Sequence, residues 1–172
     1  MTETAHASLV IVDGVGVLIT GEAGAGKSEC ALDLITRGHC LVADDVVLID
    51  RTSNTLTGKA PDRFAGLLEI RDIGIFDVRQ VFGEDSFASE SRIDLCVELK
   101  KSEAAEPSPR IGAARSETDI FGVKLPHFLL AVTRGRNLMV LVELAVRLVS
   151  MGAERAEWKL IGGHDTAVAG KS

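Results

Sequence analysis

Residues 15–28 read VGVLITGEAGAGKS, an apolar run followed by a glycine-rich loop. The run VGVLIT is typical of a buried strand, and GEAGAGKS matches GxxxxGK(S/T), the P-loop pattern. Its glycines let backbone N–H groups point at phosphates, while Lys27 reaches the β- and γ-phosphates and Ser28 offers a hydroxyl to Mg²⁺. The pattern therefore predicts an ATP site formed by Gly21, Glu22, Ala23, Gly24, Ala25, Gly26, Lys27 and Ser28.

The sequence on both sides of this loop supports the P-loop interpretation. Residues 9–12 and 15–20 are apolar and flank Asp13-Gly14, a dipeptide typical of the type I′ turn of a β-hairpin. Directly after the loop, apolar residues recur at helical spacing up to Gly38, a natural helix stop. A strand before the loop and a helix after it favour a true phosphate site over a chance glycine-rich turn.

Two acidic residues, Asp44 and Asp45, interrupt an apolar run that we expect to form one strand over residues 41–49. Adjacent carboxylates are costly to bury without a partner, so a functional role is favoured over a solvated turn. Phosphoryl transfer to a hydroxyl needs acids that hold the metal and a carboxylate that accepts the proton. The candidates are Asp44, Asp45, Glu69 and Glu29, and their placement departs from the common layout of P-loop NTPases.

Local patterns predict further elements along the chain. Pro61 suits the first position of a short helix over residues 61–68. Alternating and apolar segments predict strands over residues 91–99 and 124–133.

A long helix is predicted over residues 138–151, with Asn137 as its cap. Its apolar residues cover most of its circumference, which indicates a place in the core or in a subunit interface. We expect residues 1–172 to form a single P-loop kinase domain of the α/β class, a mixed sheet with helices. Residues 162–172 are expected to be a disordered tail.

Composition is that of a soluble globular domain, with 172 residues, 46% hydrophobic and 26% charged. The net charge of −6 disfavours nucleic-acid binding, which needs a basic face. No apolar run reaches the ~18 residues that cross a bilayer, and the start shows no secretory signal. Cys30, Cys40 and Cys96 lack CxxC spacing, which argues against disulfides and a zinc site. We therefore expect a cytoplasmic protein with no nucleic-acid or membrane partner.

Four blocks of the sequence, taken in order, are shared with a known family. They are His6 with residues 15–22, Gly24 and residues 26–29; residues 37–39 (RGH) and 41–45 (LVADD); residues 67–71 (LLEIR) with Gly74-Ile75 and Phe82-Gly83; and residues 135–137 (GRN). Together they resemble the catalytic domain of HPr kinase/phosphorylase, a bacterial enzyme that phosphorylates a serine of the phosphocarrier protein HPr. The third block is the most specific, and the resemblance covers nearly the whole chain.

This resemblance implies roles for five residues. Lys27 contacts the transferring phosphate, and Ser28 holds Mg²⁺ together with Glu69. Asp45 accepts the proton when the serine is phosphorylated and donates it in the reverse reaction. His6 belongs to the catalytic site.

The resemblance also implies a catalytic arginine, Arg110, which would stabilise charge on the phosphoryl group as an arginine finger does. Further positions are expected to support the site: Asp44, Glu29, Arg71, Arg134 and Arg136.

The family's catalytic domain is a mixed α/β fold that resembles phosphoenolpyruvate carboxykinase, uses ATP and Mg²⁺, and assembles as a hexamer. It usually follows an N-terminal domain, so a sequence that begins just before His6 is expected to be a short form or a fragment. The family's PVRPGRN stretch, which is tied to dephosphorylation, reads AVTRGRN at residues 131–137. Kinase activity is therefore better supported than phosphorylase activity.

Two other functions stay open on the residues alone. The same loop serves small-molecule kinases and carboxykinase-like enzymes, which would need a concave pocket above it. A non-catalytic module that senses ATP would also need the loop, but it would have no use for a proton acceptor such as Asp45.

Overall fold

A six-stranded mixed sheet lies at the centre of the fold, between a four-stranded antiparallel sheet and the helices. The structure is a computed structural model and describes residues 1–102 and 115–152. Its strands are β1 (Thr2–His6), β2 (Ser8–Val12), β3 (Val15–Gly21), β4 (Cys40–Ala43), β5 (Val46–Thr52), β6 (Thr55–Lys59), β7 (Leu67–Ile70), β8 (Gly74–Asp77), β9 (Glu90–Arg92), β10 (Leu95–Lys101), β11 (Arg115–Ile120) and β12 (Val123–Val132). Its helices are α1 (Lys27–Thr36), α2 (Val78–Phe82) and α3 (Leu138–Met151), with 3₁₀ turns at Asp62–Phe64 and Glu84–Ser86.

The central sheet has the strand order β11-β12-β10-β3-β2-β4, in which β3, β10 and β12 run parallel. The second sheet has the order β1-β5-β6-β9, and β7 pairs with β8 in a separate ribbon. Because the carboxyl ends of parallel strands meet at one edge, the ends of β3 and β10 lie side by side. In α/β proteins this edge is the usual place for a ligand.

Two hydrophobic cores lie on opposite faces of the central sheet. Successive residues of a strand point to opposite faces, so Ile19 of β3 packs toward the helices and Leu18 packs toward the second sheet. The helix-side core contains Leu34 of α1 and Val142 of α3, and both side chains are fully buried. This packing fixes α1, and with it the glycine-rich loop, on the sheet. Among the described residues, no helix is long and apolar enough to cross a membrane.

The elements predicted from strong local signals are confirmed. β2 and β3 form the hairpin, and Asp13 and Gly14 both have positive φ (49° and 79°), as a type I′ turn requires. α1 ends just before Gly38, whose φ is 95°. The long helix is α3, and the side chain of Asn137 caps it by accepting a hydrogen bond of 3.3 Å from the N–H of Val140.

The single strand predicted over residues 41–49 is wrong, because the chain changes sheet in its middle. β4 ends at Ala43 in the central sheet, and β5 begins at Val46 in the second sheet. Asp45 lies between them with a φ of 64°, a left-handed conformation that Asp tolerates better than most residues. Asp44 and Asp45 therefore form a turn between two sheets.

Two other predicted elements differ in the structure, and one is confirmed. The helix predicted over residues 61–68 is reduced to a 3₁₀ turn, because Gly66 (φ 80°) redirects the chain into β7. The strand predicted over residues 91–99 is divided between β9 and β10, which belong to different sheets. The strand predicted over residues 124–133 is confirmed as β12. The tail predicted over residues 162–172 lies outside the described residues.

Candidate active site

The P-loop connects β3 to α1, and its glycines adopt conformations that other residues rarely take. Gly21, Gly24 and Gly26 have φ angles of 145°, 76° and 98°. A Cβ atom on Gly21 would lie 2.6 Å from the carbonyl oxygen of Leu99 on the neighbouring β10, so only glycine fits there. The loop delivers the chain directly to the N-terminus of α1, where free N–H groups and the helix dipole favour a phosphate group.

The ammonium group of Lys27 lies across the mouth of this loop. Its Nζ donates hydrogen bonds to the carbonyl oxygens of Gly21, at 2.9 Å, and Glu22, at 3.1 Å. Both acceptors belong to the loop itself, so the side chain folds back over the loop instead of extending into solvent. Lys27 is thus in position to contact phosphates that the loop would bind.

The hydroxyl of Ser28 is held by Asp44, the acid at the end of β4. Its Oγ lies 3.0 Å from both carboxylate oxygens of Asp44, and Ser8 donates a further hydrogen bond to Asp44 at 2.7 Å. Only 8% of Asp44 is exposed, and this burial raises the pKa of its carboxyl group, although the hydrogen bonds from Ser8 and Ser28 oppose the rise. P-loop NTPases hold Mg²⁺ with the loop Ser/Thr and a second-strand Asp, so the oxygens of Ser28 and Asp44 fit that ion.

Three carboxylates, two from adjacent residues and one from a distant part of the sequence, share one cleft beside the loop. The cleft has a volume of about 110 Å³ and is lined by Asp44, Asp45, Val46, Phe64, Leu67, Glu69 and Ile75. Asp45 and Glu69 are exposed, in contrast to Asp44. Within the described residues no three His, Cys, Asp or Glu side chains form a ready metal site. A Mg²⁺ ion held here would take oxygen ligands from the Ser28 hydroxyl, the nucleotide phosphates and water.

His6 lies beside the acidic turn. It ends β1, whose pairing with β5 places His6 opposite Val46, the residue after Asp45. The next residue, Ala7, donates its N–H to the carbonyl oxygen of Asp45 at 3.2 Å. The His6 side chain is exposed, so the structure brings an accessible imidazole to the same edge as Asp45.

A second, larger cleft lies between α1 and the start of α3 and adjoins the P-loop. Its volume is about 400 Å³, and it is lined by Ala25, Gly26, Glu29, Cys30, Asp33, Val132, Gly135, Arg136, Asn137, Leu138 and Met139. Burial raises the pKa of the Cys30 thiol to about 12, so this group stays protonated and is a poor nucleophile. Glu29 and Arg136 belong to this cleft and are not part of the acidic one.

Comparison with known sequences identifies the family. The HPr Serine kinase C-terminal domain family matches residues 1–157. The chain belongs to this family. The HPr kinase/phosphorylase of Bordetella avium is 46% identical over 147 residues, which are 85% of this chain and 48% of that protein. The HPr kinase/phosphorylase of Geobacillus thermodenitrificans is 43% identical over 160 residues, which are 91% of this chain and 52% of that protein. The chain spans about half the length of the curated relatives it matches.

A solved structure of the HPr kinase family has the same fold. The Hpr(Ser) kinase/phosphatase from Coxiella burnetii matches with a TM-score of 0.80 and 38% identity, covering 88% of this chain and 93% of that chain. The α/β P-loop fold predicted from the sequence, and the family resemblance itself, are thereby confirmed.

The structure brings most of the predicted site residues of this family together. The loop and the acidic turn gather His6, Lys27, Ser28, Asp44, Asp45 and Glu69. Arg71 and Arg134 are exposed and line neither described cleft. Arg110 lies outside the described residues. The roles expected for all of these residues stay predictions.

One ion-pair network beside the site was missed by the sequence analysis, and it ties the end of α1 to α3. Arg37 donates two hydrogen bonds to the Glu143 carboxylate, at 2.8 and 2.9 Å, and His39 Nε2 lies 2.9 Å from the same carboxylate. The hydrogen bond from Arg37, and then that from His39, lower the pKa of Glu143 to about 2. No local pattern signals this contact, because Glu143 follows Arg37 by 106 residues.

Proposed function

We propose that this chain is the catalytic domain of an ATP-dependent protein-serine kinase that uses Mg²⁺ and phosphorylates a serine of an HPr-type phosphocarrier protein. The observation that carries the proposal is the contrast between two adjacent acids. Asp44 is buried against Ser28 of the P-loop, whereas Asp45 is exposed on the neighbouring cleft. The substrate is taken from the relatives, which are named HPr kinase/phosphorylase.

The two acids suit two different tasks. Asp44 fixes the hydroxyl of Ser28, which together with Glu69 would supply oxygen ligands for Mg²⁺. When bound, the ion offsets the negative charge of the phosphates. Glu69 is exposed on the same cleft, so it is accessible to an ion that enters with the nucleotide.

Asp45 is placed to act as the proton acceptor. Its carboxylate is exposed, so a serine hydroxyl on the surface of a folded protein can reach it. Asp45 takes the hydroxyl proton while the serine oxygen bonds to the γ-phosphorus and the bond to the β,γ-bridging oxygen breaks. Lys27, held at the mouth of the loop, offsets the charge on the phosphate oxygens during this transfer.

Intact-mass measurement of an HPr-type phosphocarrier, incubated with this chain and Mg·ATP, tests the proposal. We expect a gain of one phosphoryl group on serine with the wild type and none with Asp45→Asn, which should still bind ATP. Asp13→Asn is the matched control, because Asp13 is also an exposed aspartate with positive φ, in the β2–β3 turn. Unchanged phosphorylation by Asp45→Asn would remove Asp45 from its assigned role. An unmodified phosphocarrier, with ATP binding intact, would refute this protein substrate.

The reverse reaction is a second part of the proposal, supported by the relatives' names and by Arg136, which lines the cleft that adjoins the P-loop. The same sample is treated with excess phosphate after phosphorylation. Loss of the phosphoryl group from serine would support phosphorylase activity despite the altered residues 131–137. A stable phosphoserine would limit the chain to the kinase reaction.

We also propose that the chain acts as a cytoplasmic homo-oligomer, a hexamer by family resemblance. The exposed face of α3 supports this proposal, because it carries three large apolar side chains. Val140, Leu144 and Met151 are 46%, 50% and 44% exposed. Light scattering coupled to size-exclusion chromatography gives the mass in solution, and a monomer at micromolar concentration would contradict the proposal.

A further inference from the structure

A second lysine, Lys101, lies against the P-loop. Lys101 is the last residue of β10, which runs parallel to β3 with Leu99 opposite Gly21. The end of β10 therefore lies beside the start of the loop. The Nζ atom of Lys101 is 3.5 Å from the position that a Cβ atom on Gly24 would occupy. Its ammonium group therefore lies next to Gly24, near the middle of the loop.

The direction of the Lys101 side chain follows from strand alternation. Leu95, Val97 and Leu99 of β10 all belong to the helix-side core. Lys101 continues this series, so it lies on the face of the sheet that carries the P-loop and α1. Lys100 falls on the opposite face by the same alternation. The two neighbouring lysines therefore differ in their relation to the loop.

In the part of the chain that the structure describes, no carboxylate pairs with the ammonium group of Lys101. There it makes no hydrogen bond and no ion pair, whereas Lys27 donates to two loop carbonyls. The N-terminus of α1 adds about half a positive charge to the same region. A further cation beside that helix end is unfavourable unless an anion also binds there.

We propose that Lys101 is a second phosphate-binding lysine beside the loop. Its ammonium group would contact the phosphate chain of the nucleotide next to Gly24. This inference rests on the proposed function, because it assumes that the loop binds ATP. Because residue 24 is a glycine, no side chain at this position separates the Lys101 ammonium group from a phosphate bound to the loop. Lys27 and Lys101 would then hold the phosphate chain from two directions.

Calorimetric titration of the wild type, Lys101→Met, Lys101→Arg and Lys100→Met with ATP and with inorganic tripolyphosphate tests the inference. Methionine keeps the length of the side chain and removes its charge. We expect Lys101→Met to raise the Kd of both ligands about five- to tenfold, and to weaken the salt dependence of binding. Lys101→Arg should bind nearly as the wild type does, and Lys100→Met should bind unchanged.

The outcomes separate this inference from the proposed function. If Lys101→Met binds ATP and tripolyphosphate as tightly as the wild type, or if Lys100→Met weakens binding equally, Lys101 has no specific role. Unfolding midpoints of the variants should match, because Lys101 is exposed. A protein that binds ATP through Lys101 and yet phosphorylates no HPr serine would overturn the proposed function alone. A wild type that binds neither ligand would overturn both.

Discussion

Replacing Glu143 with glutamine tests how firmly α1, the helix that carries Lys27 and Ser28, is held against α3. Among the described residues, Glu143 is the only acceptor that contacts the side chains of both Arg37 and His39, at distances of 2.8 to 2.9 Å. Glutamine keeps one carbonyl oxygen and the shape of the side chain but removes the charge. The variant should therefore weaken the attachment of the C-terminal end of α1 to α3 without creating a cavity in the core.

The size of the effect follows from the pKa of the Glu143 carboxyl group. The hydrogen bond from Arg37, and then that from His39, lower this pKa from 4.5 to about 2. At 1.36 kcal/mol for each pKa unit, this difference corresponds to about 3 kcal/mol. The side chain of Arg37 is 46% exposed, so solvent screens its part of the interaction. We therefore expect Glu143→Gln to lower the free energy of unfolding by about 1 to 2 kcal/mol.

The dependence of this loss on pH has a definite sign. The folded pKa lies below the unfolded one, so the stabilisation is complete above about 4.5 and is lost as the pH falls from there through about 2. Urea unfolding followed by circular dichroism measures the difference between the wild type and Glu143→Gln. This difference should be largest near neutral pH and fall to less than half of that value by about pH 3.

Glu117→Gln is the matched control, since Glu117 is exposed on β11 and forms no ion pair among the described residues. It should unfold as the wild type does at every pH. The reasoning is refuted if Glu143→Gln unfolds like this control near neutral pH. It is also refuted if the deficit of Glu143→Gln is the same at neutral and acidic pH, because the loss would then not arise from the ionised carboxylate.

Two further substitutions test the loop and its buried acid. Asp44→Asn removes a carboxylate whose pKa is raised by burial, so its ionised form costs stability above that pKa. We expect unchanged or higher resistance to urea together with about tenfold weaker Mg·ATP binding, and lower stability with unaltered binding would contradict this role. Gly21→Ala places a Cβ atom 2.6 Å from the carbonyl oxygen of Leu99, so it should cost at least about 2 kcal/mol of unfolding free energy. Gly14 also has positive φ, but its Cβ position is surrounded by open space, so Gly14→Ala should lower the free energy of unfolding by less. Equal losses for the two variants would show that the contact with β10 is unimportant.

Local chemistry explains which elements the sequence predicts well. The β2–β3 turn at Asp13-Gly14, the P-loop and the Asn137 cap each depend on residues within a few positions of one another. Such local signals determine a turn or a helix end without contacts from distant parts of the chain. For the same reason the prediction of Lys27 and Ser28 as loop residues needed no knowledge of the sheet.

Contacts between distant residues explain what the sequence predicts poorly. Residues 41–49 read as one strand because their hydrophobicity is continuous, and only the partners of β4 and β5 reveal two sheets. Glu143 meets Arg37 across 106 residues. Lys101 reaches Gly24 because β10 lies beside β3, which no periodicity in either segment indicates.

The change of sheet between Asp44 and Asp45 is what lets adjacent acids occupy opposite environments. In a continuous strand these neighbours would point to opposite faces, and one of them would enter a hydrophobic core. The turn instead directs Asp44 to Ser28 and leaves Asp45 exposed on the cleft. The left-handed backbone of Asp45, with a φ of 64°, costs about 1 kcal/mol for a residue other than glycine. That cost is tolerated because packing fixes the strands on both sides of the turn. β5 packs in the core that faces the second sheet, and β4 contributes residues to that core and to the helix-side core, so the acid proposed to accept the proton lies between two fixed strands.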